Sequence, residues 1–569
     1  MTLQEKLRDL DTGTTAHFLK IGMIGAILIG LCLIYTLVQF KGLACETAMD
    51  QAQIARSLMS GKGFSTLYIR PLAIRQLSIA DKKIPAKDFP DFYNAPLYPI
   101  VESLALLPAK KHLAMSTTDI ISNGDRSIAI LGVTLLLIGT VVWYFVARLM
   151  FDHSLAILSV GLILATDLMW QFAISGLPQH LLIIFFGLVT YCSLKASHAN
   201  QEENDFQVLL WLAGAGLGLG LMSLTNGITA LFVPGFLVFC LIGFSARIRA
   251  FLVPLTIYLL CIAPWLFRNM AVCGNPFGLS IYAALAGAGV TETSIMRGAS
   301  TDLMLGGGMA TKFRSGLMDQ AAHLWEYLGL NIVIISFVVS LMHPFRSSFA
   351  SLWRWIILLM WFGVSIGMTF FGVSGTISAN QLHILFLPTF IIFGLAFLLV
   401  LWNRLEISLK PLRIAFLTLI FVLSGTPMLL TLIVGQTARI QWPPYVPPFI
   451  SILQNWFQKE EVLCSDMPWA VAWYAERKCL LLPETVKAFD EISDYSTLGS
   501  PIVGLYLTPI SGRDDFLSLV KGVNKEWGPV IMRTINLDEF LLKSFTPLPI
   551  DGQCILYADT ERWARKTIK

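Results

Sequence analysis

Apolar residues in this chain come in long, nearly unbroken runs separated by short polar stretches. A helix needs about 20 largely apolar residues to cross a bilayer. Eleven runs meet that length closely enough to predict spans: 18–40, 128–150, 155–175, 179–196, 207–225, 228–245, 250–267, 325–343, 354–372, 380–401 and 412–435. Two of them nearly touch, which predicts a tight reversal at "LTNG" (224–227), where Asn and Gly suit a turn. The first run exceeds a signal core of about 7–15 residues and lacks a small-residue cleavage site, so it reads as a retained span. Beyond residue 435 the pattern changes. "EVLCSD", "KCLLLP", "PIVGLYLTP" and "CILYAD" look like strands, while "WAVAWYAE", "ETVKAFDEI" and "DDFLSLVKGVNKEW" look helical. That alternation predicts a small α/β domain. The expected architecture is mainly α: a polytopic transmembrane helix bundle over 1–435 with external loops 41–127 and 268–324, then an extracytoplasmic α/β domain over 436–569.

Composition agrees with the span pattern. The 569 residues are 55% hydrophobic and 14% charged, against about 25% charged in soluble domains. The net charge of +4 is small and spread among loops, which argues against a nucleic-acid partner. Lys and Arg in short loops set orientation. Arg247 and Arg249, Arg346 and Arg354, and Arg404, Lys410 and Arg413 all fall on the side of the N-terminus, which predicts a cytoplasmic N-terminus and an external tail. The nine cysteines form no metal-ligand spacing, and those within apolar runs read as packing residues. A disulfide between two of Cys464, Cys479 and Cys554 is left open.

Chemistry is first suggested at "ACETAMDQAQIARSLMSGKGF" (44–64), just past the first span. On a helix of 3.6 residues per turn, Glu46, Asp50, Gln53, Ser57 and Ser60 share one face and Ala48, Ala52, Ala55 and Met59 the opposite one. Gly61 then suits a helix stop. Like charges one turn apart cost a few tenths of a kcal/mol, and Arg56 points away from both. The stripe suits either a solvated juxtamembrane helix or a carboxylate pair at a cavity mouth, where burial and a like charge raise one pKa and make a general base.

The order of first span, acidic pair, "QIARSLMSGKGF" and "NAPLYPIVESLALL" (94–107) resembles the GT-C type, polyprenyl-phosphate-sugar-dependent glycosyltransferases, the group of the protein O-mannosyltransferases and lipid A aminoarabinose transferases. "APWLFRNMAVCGNPFG" (263–278), "ANQLHILFLPTF" (379–390), "SDMPWAVAWYAERKCLLLP" (465–483) and "LMSLTNG" (221–227) are similar to further elements of that group, with Asn226 where a lysine is common. The resemblance implies transfer of a sugar from a polyprenyl-phosphate carrier to a hydroxyl of a lipid, glycan or protein acceptor, outside the cytoplasmic (inner) membrane. It implies Asp50 or Glu46 as base, and Arg268 and His383 as contacts for the leaving phosphate. Arg56, Arg70 and Arg75 are weaker contacts in the first external loop. Asp167, inside an apparent span, and His180, at the start of the next, complete the candidates. A divalent metal held through His180 is left open, although no HxxxH or HExxH occurs. The glycine-rich stretch 305–313 suits either a lid or a connector. The competing reading is a transporter or lipid flippase, and a third is a non-catalytic envelope scaffold that tolerates loss of both carboxylates.

Overall fold

The computed structural model describes residues 14–562 except 86, 114, 116–118, 120, 299–306, 346, 407–408, 435–446, 495–497, 513–520, 523, 536–539, 543 and 548–554. Arg346, Cys554 and most of "DDFLSLVKGVNKEW" therefore lie outside the described residues.

Among the described residues, eight helices are long and apolar enough to cross a membrane: Gly22–Gln39, Asn123–Met150, Gln179–Gln201, Asp205–Thr225, Arg247–Cys273, Ser348–Phe371, His383–Arg404 and Lys410–Val434. His153–Leu164 and Asp167–Ile174 add a pair bent by 60°, and Gly227–Gly243 is a shorter apolar helix. The eleven-run count differs mainly at 325–343. That run folds as the end of helix Met309–Tyr327, a turn and the eight-residue helix Val333–Ser340. Asn331 makes the break, its side chain accepting from the Val333 amide at 3.1 Å. The reversal expected at 224–227 is present, with the Asn226 side chain accepting from the Ile228 amide at 3.0 Å.

The helices pack through glycines where backbones approach. A Cβ on Gly132 would lie 1.9 Å from the Ala173 carbonyl oxygen, so helix Asn123–Met150 crosses Asp167–Ile174 only because no side chain stands there.

A six-stranded sheet has the order β1-β3-β2-β4-β6-β5. β2 (Val462–Ser465), β3 (Lys478–Leu481), β4 (Ile502–Leu507) and β6 (Ile555–Ala558) match the expected strands, and β5 (Ser544–Pro547) is additional. β1 is Tyr68–Ile69, from the segment that follows the first span, pairing parallel to β3 with Tyr68 opposite Cys479. The tail's sheet thus takes one edge from a segment some four hundred positions earlier. Cys464 and Cys479 are buried free thiols.

Candidate active site

Helix Glu46–Met59 follows the first span, and Glu46 opens its first turn, where a carboxylate faces the positive end of the helix dipole. Its end is set by Gly61, with φ +77°. The expected stripe is realised: Asp50 and Gln53 are buried, and Glu46 is half-buried. Gln53 ties the helix to the next segment, donating to Asp50 Oδ1 at 3.1 Å and Thr66 Oγ1 at 2.7 Å and accepting from the Leu67 amide at 2.9 Å.

That segment delivers Arg70. The residue before a proline is pushed to extended backbone, and Arg70, at φ −96° and ψ 132°, leaves β1 just before Pro71 starts helix Pro71–Ile79. Its buried guanidinium donates to Asp50 Oδ2 at 2.6 Å and lies 3.6 Å from Asp91 Oδ1. It is also stacked between two rings, 3.9 Å from the centroids of both Tyr68 and Tyr93. Asn94 donates to the same Asp50 oxygen at 2.7 Å. Burial, with the neighbouring Asp50, pushes the Asp91 carboxyl up to about 6, against the pull of Arg70.

The phenols beyond those rings reach two further carboxylates. Tyr68 donates to Glu46 Oε1 at 3.3 Å, and Tyr93 donates to Glu292 Oε1. Burial pushes the Glu46 carboxyl up to about 7; Glu292 and Asp50 add to the rise, while Arg70 and the Tyr68 hydrogen bond oppose it. Burial raises Glu292 as well, opposed by Tyr93, Arg70 and Lys312.

Glu46, Asp50, Arg70, Tyr93, Asn94, Glu292 and Lys312 line one cavity of about 840 Å³, with Asn226, Trp265, Asn269 and the 371–380 segment across from them. Arg70 and Lys312 are its cations among the described residues. Lys312 donates to the carbonyls of Ala283 at 3.0 Å, Ala284 at 3.3 Å and Ala286 at 2.9 Å, holding its charge at the end of helix Ser280–Leu285.

The other candidates from the sequence lie off the lining. Arg268 sits behind it, donating to the Asp91 and Phe64 carbonyls and to Asn269 Oδ1 at 3.0 Å, with its guanidinium 4.7 Å from the Trp265 ring. Arg56 turns to the tail, donating to the carbonyls of Ala472 at 2.5 Å and Trp473 at 2.8 Å and pairing with Glu476 at 3.2 Å. His383 is buried, stacked on Tyr327, and accepts at Nδ1 from the Trp361 indole at 2.8 Å. Asp167 sits at the 60° bend and gathers Tyr35, Gln171 and Thr431, joining the first and last spans. His180 Nε2 faces the Met169 carbonyl at 2.7 Å. Among the described residues no group of three or more His, Cys, Asp or Glu is placed to hold a metal ion.

Comparison with known proteins supplies the frame for this geometry. A family model described as dolichyl-phosphate-mannose-protein mannosyltransferase matches residues 108–267. Among solved structures, ArnT from Cupriavidus metallidurans in the apo state superposes with a TM-score of 0.55 at 12% identity, over 95% of this chain and 98% of that one. The chain has the GT-C fold. The same ArnT bound to undecaprenyl phosphate gives a TM-score of 0.53 at 12% identity, over 95% and 98% of the two chains. A second GT-C structure, the Archaeoglobus fulgidus oligosaccharyltransferase tethered with an acceptor peptide, gives 0.55 at 10% identity, over 94% of this chain and 74% of that one. No curated protein matches the chain by sequence. The GT-C likeness read from the motifs therefore holds at the level of the fold, in a multi-pass membrane architecture.

The motifs single out none of Lys312, Glu292, Tyr68, Tyr93 and Asn94 as site residues and place Arg70 among the weaker contacts. The usable signal was faint: Arg70 precedes a proline in an apolar segment, where an extended backbone and a buried cation coincide.

Proposed function

We propose that this protein is an integral membrane glycosyltransferase that moves a sugar from a polyprenyl-phosphate carrier to an acceptor hydroxyl. The observation that carries the reading is the cavity in which Glu46 and the Asp50–Arg70 pair converge, within the GT-C fold. ArnT bound to undecaprenyl phosphate and the tethered acceptor peptide of the archaeal oligosaccharyltransferase support the donor and acceptor classes by likeness.

In this reading Glu46 is the general base. One of its oxygens is fixed by Tyr68, and its carboxyl, raised to about 7, is poised near neutral pH. Asp50 is the weaker choice, because both oxygens are engaged by Arg70, Asn94 and Gln53. Arg70 and Lys312, in place of Arg268 and His383, supply positive charge as the carrier phosphate leaves. The acceptor hydroxyl attacks the anomeric carbon, its proton passes to Glu46, and the sugar–phosphate bond breaks with its electron pair going to the phosphate. Arg268 and Arg56 act as supports: one holds the Asp91 loop, the other the tail. We assign residues 1–435 to the membrane unit and 436–569 to an extracytoplasmic domain, with the N-terminus cytoplasmic and the cavity on the outer side of the cytoplasmic membrane.

The test is transfer from radiolabelled polyprenyl-phosphate sugars by the purified protein, with Glu46→Gln beside the wild type. Transfer by the wild type and its loss in the variant is expected. Wild-type rates in Glu46→Gln would refute the base assignment, and no donor consumption by the wild type would refute the transferase.

A further inference from the structure

The Arg70 guanidinium holds a tyrosine on each face, and each phenol carries a carboxylate at its far end: Glu46 beyond Tyr68, Glu292 beyond Tyr93. Each carboxylate has one oxygen anchored this way. Among the described residues no other hydrogen bond reaches either carboxylate, and both line the cavity. An ionised carboxylate only accepts hydrogen bonds. A carrier phosphate brings no donors to meet it, whereas a sugar brings a hydroxyl on most of its carbons.

Glu292 is also firmly mounted. It begins helix Glu292–Met296, where the Thr291 side chain accepts from the Ser294 amide at 3.2 Å. Arg297, directly after that helix, donates to the carbonyls of Leu482 at 2.8 Å and Pro483 at 3.2 Å and to Asn524 Oδ1 at 2.9 Å. The segment bearing Glu292 is therefore fastened to the tail's sheet, as a group that reads substrate geometry needs.

We infer that Glu292 is a specificity-determining residue whose open carboxylate oxygen accepts a hydrogen bond from a hydroxyl group of the donor's sugar, across the Tyr68–Arg70–Tyr93 stack from Glu46. This rests on the glycosyltransferase reading above.

The experiment pairs Glu292→Gln with polyprenyl-phosphate hexoses deoxygenated at one position at a time. A hydrogen bond to a charged group corresponds to roughly ten- to a hundredfold in kcat/KM. One deoxy donor should cost the wild type that factor and cost Glu292→Gln clearly less, because the amide oxygen that replaces the carboxylate accepts without a charge. Tyr93→Phe, which frees the anchored oxygen but keeps the ring on Arg70, should weaken discrimination at the same position; it carries the test if Glu292→Gln does not fold. Equal deoxygenation penalties in wild type and both variants overturn the inference and leave the transferase standing. Absence of transfer by the wild type from every donor overturns both.

Discussion

Glu46 and Asp50 sit one helical turn apart, yet their surroundings differ. Asp50 faces a guanidinium at 2.6 Å and an amide at 2.7 Å, whereas Glu46 meets a phenol at 3.3 Å and open cavity. The difference predicts distinct phenotypes. Glu46→Gln should lower kcat by about 10²–10⁴ with stability nearly unchanged, since positioned proton transfer contributes on that scale. A base must be ionised, so with the Glu46 carboxyl near 7 the wild-type rate should climb as pH rises through about 7 and level above it. The pH–rate profile of kcat/KM checks this, and the residual activity of Glu46→Gln should lack that limb. Asp50→Ala should instead unfold the protein more readily, because removing one partner of a buried pair costs about 3–5 kcal/mol. Its melting temperature in detergent should fall clearly, and activity with it.

At the scale of elements, the cavity wall depends on one backbone crossing. Gly278 has φ +60°, and a Cβ there would lie 1.9 Å from the Phe92 carbonyl oxygen. The same carbonyl accepts from the Leu279 amide at 3.0 Å, joining the segment of Tyr93 and Asn94 to the start of helix Ser280–Leu285. Gly278→Ala should therefore cost at least about 1–3 kcal/mol through overpacking and displace Tyr93 from Arg70. A lowered melting temperature together with a raised donor KM would show it. Most of the spans, the Glu46–Met59 helix and four of the strands were legible in the sequence, because run length, helical period and glycine stops are local properties. The two-residue β1 was not, because nothing within Tyr68–Ile69 says that its partner is β3.

For the whole molecule, the contacts that join the tail to the segments around the cavity include β1 against β3, Arg56 against the 472–476 segment, and Arg297 against Leu482 and Pro483. Truncation before residue 447 would strip Arg70's strand of its neighbour and leave Arg56 and Arg297 without these carbonyls. Such a chain should show no detectable transfer even where it inserts into membranes, as a labelled-donor assay on membranes carrying comparable amounts of each form would reveal.

What the sequence determined by itself was the membrane bundle, the helix with its two carboxylates and the strands of the tail. Each follows from interactions within a few residues or from transfer of an apolar run out of water. It also placed acidic chemistry just past the first span. Only the tertiary structure decided which cations meet those acids. Arg268, His383, Asp167, His180 and Arg56 are each bonded away from the cavity, and Arg70, Lys312 and Glu292 line it. The reason is physical: a buried charge takes its role from the partners and dielectric that packing brings to it from distant positions, and no local spacing encodes those.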